Sequence, residues 1–240
     1  MRATAVRRTA LAATVALVTA CGGGEEEGEA KDARTETSKA SVTTTAAPAA
    51  SAAPAAKALY AAELEELVVA AGDLKGYEVE QPKGTIGSSA VTVDKDACKP
   101  IADALFALPH HLAFASVQRE AVPVGAPMTT MSLGSFEGNN AQEVFATLRA
   151  SATACAGGFT VSVLGDPMKV RSVSPMTVSG GDEVLAWKVK SAVSADTLMT
   201  SLVVSRTKNN VGTFSTVSLA RAWDKAHGQA VIDAQAAKLG

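Results

Sequence analysis

Few residues in this 240-residue chain could do chemistry. His110-His111 is its one histidine cluster, and the third histidine, His227, stands beside Gly228. Neighbours on an extended segment point apart, and neither histidine has a Cys or acidic residue at ligand spacing. The pair therefore reads as solvated loop histidines after Pro109. The sharper alternative is weak metal binding or a pH response near the histidine pKa of ~6.5. His227 reads as a loop residue ahead of the last helix. Gly134-Ser135-Phe136-Glu137-Gly138 lacks the spacing of a nucleophile elbow and sits at a strand end. Neither a Walker A loop nor a Gly-x-Gly-x-x-Gly run occurs. Glu63, Glu65 and Glu66 form a solvated helix face, and no carboxylate pair is singled out by an apolar setting. The expectation is no catalytic residue, no metal and no cofactor.

Trp187 falls mid-strand on an apolar face, where core packing is the default reading and cleft lining the alternative. Trp223 lies in the less regular stretch Ala220–Gly228, exposed or packed at an edge. Together with His110 and His111 these are the candidate ligand contacts. Met128, Met131, Met168, Met176 and Met199 fall mostly on strands, as core filler or as the lining of an adaptable apolar pocket.

The three cysteines divide into one and two. Cys21 closes Val18-Thr19-Ala20-Cys21, which follows a basic start (Arg2, Arg7, Arg8) and an apolar run from Ala10 to Val18. That order describes an export signal, residues 1–20, too short for the ~20 residues of a membrane span. Its last four residues resemble the bacterial lipobox, whose Cys is lipidated and becomes the mature N-terminus. A chance Cys in an ordinary signal is the alternative, and the route, Sec or twin-arginine, stays open. Cys98 and Cys155 remain, an even pair in an oxidising compartment. They read as a disulfide, with two buried unpaired thiols as the alternative.

Residues 21–57 hold the lipidated Cys and a tether, charged at first and then rich in Ala, Thr, Ser and Pro. Too little apolar surface is present to offset ordering entropy, so a disordered leader with a reach of roughly 30–35 Å is expected. Its Thr/Ser/Pro content would suit O-glycosylation. The net charge of −2 leaves no basic footprint for nucleic acid. The expected partners are the membrane, through the N-terminal lipid, and a small-molecule, lipid or protein ligand. The tether offers no oligomerisation heptads, so a monomer is expected.

Residues 58–240 should form a single extracytoplasmic domain. Leu64, Leu67, Val68 and Ala71 recur at helical spacing up to Gly72-Asp73. A second helix is expected over Asp96–Leu105 and a third from Asn139-Asn140 to Cys155, stopped by Gly157-Gly158. A last one is expected over Gln229–Leu239. Seven alternating runs read as strands: 112–122, 129–136, 159–164, 168–173, 183–193, 198–206 and 211–219. Their short turns allow only antiparallel pairing. Leu185, Trp187 and Val189 alternate with Ala186, Lys188 and Lys190, one buried face and one wet. The fold class is α+β: an antiparallel sheet of about five to seven strands, three to four helices packed on one face, and one disulfide.

The order of features resembles a family. A lipobox precedes a short helix and Asp96-Ala97-Cys98. A strand pair follows, then a helix ending Cys155-Ala156-Gly157-Gly158-Phe159, and a meander with Val203-Val204-Ser205-Arg206 and Asn209-Asn210-Val211. These resemble the actinobacterial extracellular sensor domains typified by the PknH-like receptor-kinase ectodomain, which also occur on lipoproteins. The resemblance spans about residues 59–240. It implies an antiparallel sheet with helices around a cleft, and it carries over no catalytic residue. The chain departs from it at Ser151, Ala152 and Thr153, where the family often places a Trp, and in having one disulfide at most rather than two. The expected function is a membrane-anchored, non-catalytic ligand- or partner-binding lipoprotein domain on the extracytoplasmic side. A carrier of lipid or another hydrophobic molecule, and an envelope hydrolase, are the alternatives.

Overall fold

Runs of Val, Thr, Ser and Leu joined by short connections must fold back on themselves, and they do. The computed structural model describes residues 57–125, 127–193, 196–219 and 225–240. The expected signal, Cys21, the expected tether up to residue 56 and Trp223 lie outside the described residues. Contacts divide the chain into Met1–Ala49 and Ala50–Gly240, and the second unit is described here.

Nine strands form one sheet: β1 (Tyr77–Glu80), β2 (Val91–Val93), β3 (Ala115–Pro123), β4 (Thr129–Ser135), β5 (Phe159–Val163), β6 (Asp166–Pro175), β7 (Glu183–Val193), β8 (Asp196–Thr207) and β9 (Asn210–Leu219). Their order is β1-β3-β4-β9-β8-β7-β6-β5-β2, and each pair is antiparallel. All seven expected strands are present. The two additional ones are the edges, four and three residues long, too short for alternation to register in the sequence.

The four helices are α1 (Ala61–Leu67), α2 (Lys99–Leu105), α3 (Asn140–Ala154) and α4 (Lys225–Leu239). They cover both faces of the sheet, which corrects the one-face arrangement. One core joins Ile101, Leu105, Val144 and Leu148 of α2 and α3 to Trp187, Val189, Leu202 and Val204. The other joins Leu64 of α1 and Val231 and Ile232 of α4 to Val117, Met131, Ala186, Val203 and Phe214. Consecutive residues of β8, Leu202, Val203 and Val204, thus enter opposite cores. Ala186, expected on a wet face, is 8% exposed because the second helix layer covers it. The apolar run Leu202–Val204 was the mark of a strand buried on both sides.

Helix limits differ where tertiary contacts intervene. The first helix ends at Leu67 rather than at Gly72, with Val68 already extended (φ −72°, ψ 149°). The reason is Gln235 of α4, a buried amide that accepts from the Val69 N–H at 3.0 Å and donates to the Leu67 carbonyl at 2.9 Å. It satisfies the backbone that a continuing helix would have used. The second helix starts with a 3-10 turn, Asp96–Cys98, before Pro100 in its first turn. The last helix starts four residues early, at Lys225, so position 227 is helical rather than loop. Gly228 does not interrupt it. A Cβ there would stand 2.9 Å from Thr216 Oγ1, so the glycine lets α4 lie close against β9.

Cys98 and Cys155 form a disulfide with Cα atoms 5.8 Å apart. It ties the turn before α2 to the C-terminus of α3 in the core that those helices share. Among the described residues no helix is long and apolar enough to cross a membrane.

Candidate functional site

Where β3, β4 and β9 face α2 and α3, the alternating positions hold small or polar residues: Ser116, Gln118, Thr130, Ser132, Gly134, Thr213 and Ser215. On β7 and β8 the equivalent positions hold Trp187, Val189, Leu202 and Val204. Large side chains fill the space under the helices in one half of the sheet and leave it open in the other. The end of α2 stands in this open half on two polar posts. Ser215 donates to the Leu105 carbonyl at 2.6 Å, and the Gln118 amide donates to the Ala107 carbonyl at 2.9 Å. These bonds satisfy carbonyls left over at the helix C-terminus and divide the open space into two cavities, with Leu108 in the wall of both.

The first cavity, about 410 Å³, lies between α2, α3 and β3-β4-β9. Leu108, Phe136, Val144, Leu148 and Val211 make it apolar inside. At its mouth Lys99 donates to Asp103 Oδ1 at 2.5 Å, to the Ser88 carbonyl at 3.0 Å and to the Ser88 hydroxyl, while Ser88 donates to Asp103 Oδ2 at 2.7 Å. An ammonium already donating to both partners offers no lone pair to take the Ser88 proton. The trio is therefore a polar rim rather than a nucleophile with its base. Lys99 and Asp103 were legible as an i,i+4 pair on a helix. Ser88, brought in from eleven positions upstream, was not.

His110 and His111 line the same cavity. They do not point apart. Their rings stack with centroids 4.4 Å apart and 30° between planes. The segment is a turn rather than a strand: Ala107 takes φ 47°, and the Ala113 N–H donates to the His110 carbonyl at 2.9 Å. His111 is exposed, but His110 is only partly so, 6.3 Å from the Phe136 ring. Burial, and then the charge of His111, push the His110 pKa down to about 4 against the opposing pull of Asp103. His110 is therefore neutral at pH 7. The Leu112 N–H donates to its Nδ1 at 3.2 Å, which leaves the ring proton on Nε2 as a donor. The cavity thus offers an apolar interior with an imidazole N–H in its wall and an ammonium at its rim. Such a site suits a small molecule with an apolar body and an acceptor group. Among the described residues no three His, Cys, Asp or Glu side chains converge.

Trp187 is 7% exposed and lies in the core, lining a shallower depression beside α3 with Arg149 and Pro175, apart from the histidines. The first-helix carboxylates are more than a solvated face. Glu63 accepts from the Tyr60 N–H at 2.7 Å, capping its own helix, and Glu65 pairs with Arg119, whose side chain is 10% exposed. The sequence did carry a signal for the open half of the sheet: the two-residue periodicity of small residues at Thr130, Ser132 and Gly134 and at Thr213 and Ser215.

No protein-family model matches the chain, and no curated protein matches it. Among solved structures the chain is similar to the extracellular domain of PknH from Mycobacterium tuberculosis. The similarity has a TM-score of 0.57 at 12% identity and covers 76% of this chain and 97% of that one. The chain has the fold of that extracellular domain.

Proposed function

We propose that this protein is a lipid-anchored extracytoplasmic module that binds a small amphipathic ligand, without transforming it, in the cavity between α2, α3 and β3-β4-β9. Residues 1–20 are its export signal, Cys21 and the stretch through residue 57 its anchor and tether, and residues 58–240 its binding domain. The observation that carries this reading is the cavity itself: about 410 Å³, apolar within, with the His110 imidazole and the Lys99 ammonium at its edge. That size lies within the range of small-ligand sites. The fold shared with an extracellular domain and the Cys98–Cys155 bridge support the compartment. The short edge strands β1 and β2 offer little backbone for another sheet to pair with, in keeping with a monomer.

Native mass spectrometry of the full chain purified from an exporting bacterial host, with solvent extraction of whatever is bound, tests the reading. The wild type should carry a small-molecule adduct. Thr213→Trp, which fills the cavity floor, should lose it, and Trp187→Phe, outside the cavity, should keep it. If every adduct survives Thr213→Trp, or if no adduct appears together with no thermal shift against a panel of amphipathic carboxylates, the assignment falls.

A further inference from the structure

The described residues include eight large apolar side chains exposed to solvent, and six of them, Val124, Met128, Leu164, Val193, Val217 and Leu219, sit at one end of the sheet. The register places them there. The β3–β4 connection, the β5–β6 turn and the β7–β8 connection share that end with the last residues of β9 (Tyr77↔Pro123, Thr129↔Thr216, Leu198↔Leu219, Val193↔Asp196, Val163↔Asp166). Single exposed apolar residues are ordinary; six gathered at one end are not. Leu164 adds a second observation. It occupies the two-residue β5–β6 turn with φ 52° and is 75% exposed. Asn, Asp or Gly would take that left-handed position with less strain, and leucine there gains no burial in return. An outlier that costs folding energy and displays an apolar side chain points to use rather than packing.

The second cavity opens at the same end. It holds about 380 Å³ on the far side of the α2 terminus, and Met128 and Val217, both partly in solvent, lie in its wall with Leu105, Met168 and Leu198. We propose that this end of the sheet docks on a lipid bilayer, its apolar tips entering the interface while the cavity beneath takes up one acyl chain. The inference rests on the reading of Cys21 as a lipid anchor. Lys57, where the described chain begins, lies at the opposite end of the sheet, its carbonyl accepting from Asn209 of the β8–β9 turn at 3.1 Å. About 36 residues separate it from Cys21, a chain with a typical reach of roughly 30–35 Å that extends to at most about 130 Å. The longest strand has twelve residues and measures about 40 Å. The anchored chain is therefore long enough for the far end of the sheet to turn back onto the membrane that holds Cys21. An anchor at Cys21 keeps the bilayer within reach of this end and so at a high effective concentration. Apolar tips entering the headgroup boundary by about 5–10 Å would bring Met128 and Val217 to the acyl chains.

The test uses the full chain and a palmitate analogue bearing a diazirine near its methyl end, with labelled peptides mapped by mass spectrometry. The probe is supplied either as a monomer in water or dissolved in phosphatidylethanolamine/phosphatidylglycerol vesicles. Label should fall on the peptides holding Met128, Met168 and Leu198. Thr200→Trp on the cavity floor, and independently Thr130→Phe, should lower it about tenfold by either route. The double variant Val124→Asp/Leu164→Asp should lower labelling about tenfold from vesicles and leave labelling from water unchanged. Label concentrated on peptides of His110 and Phe136 would overturn the acyl site and leave the first cavity as the ligand site. Undiminished vesicle labelling of the double variant would overturn the docking and assign the tips to a protein partner.

Discussion

His110 shows how two adjacent residues of one type can acquire different properties. Its partner His111 faces water, while His110 stands in the cavity wall with its pKa pushed down to about 4. An unfolded histidine titrates near ~6.5. Between those values the unfolded chain binds a proton that the folded chain refuses, so the His110 contribution to stability is lost as pH falls from about 6.5 to about 4. Asp73 behaves in the same direction but lower. The Lys238 side chain and the Ala70 N–H hold its carboxyl below the usual carboxylate range, so its contribution disappears only as pH falls below about 3.9. NMR titration should find the His110 imidazole still unprotonated at pH 5. His110→Phe should remove that late titration and flatten the melting temperature between pH 6.5 and 4, leaving the more acidic fall intact. If His110 titrated near 6.5, the neutral donor argued for the first cavity would go with it. The sequence showed the pair and its position after Pro109. It did not show the stacking, because that depends on the positive φ at Ala107 and on the turn the Leu112 and Ala113 amides close around His110.

At the level of elements, two cross-links hold the helix layers. The Cys98–Cys155 bridge closes 57 positions of chain. On the chain-entropy model its removal should cost about 4 kcal/mol. In a domain of this size that is a fall of roughly 10 °C in melting temperature for Cys98→Ala/Cys155→Ala. Calorimetry in oxidising buffer checks this, and adding reductant should reproduce the loss in the wild type without affecting the variant. On the opposite face Gln235 does for α1 what the bridge does for α2 and α3. Gln235→Leu keeps the volume but strands the buried Val69 N–H, at about 1–3 kcal/mol, and leaves the partly buried Leu67 carbonyl without its amide partner, at a smaller cost. Denaturant unfolding should show a lower midpoint with an unchanged slope. The bridge could be anticipated by counting cysteines. The Gln235 bracket could not, since its two partners lie more than 160 positions away.

For the whole molecule, the sheet carries its histidine-lined cavity and its second, apolar-tipped cavity on one face, parted only by the end of α2. On the proposed function, an anchor at Cys21 brings both to a membrane. Cys21→Ser should move the exported protein from the detergent phase to the aqueous phase on temperature-induced partitioning. Both cavities should keep their ligands, because their walls come from residues 82–217. Partitioning that ignores Cys21 would remove the lipid anchor from the proposed function.

The sequence by itself determined the α+β class, seven strands, four helices and the cysteine pair. Each of these is a local matter: period-two alternation, helical spacing, turn residues, a count of thiols. Tertiary structure alone decided that helices cover both faces, that two short edges complete the sheet, and that small polar side chains on three strands leave room beneath α2. The reason is that burial belongs to pairs of surfaces. Ser132 and Thr213 are ordinary strand residues until β4 and β9 lie side by side, and a cavity exists only where neighbouring strands withhold bulk at the same depth.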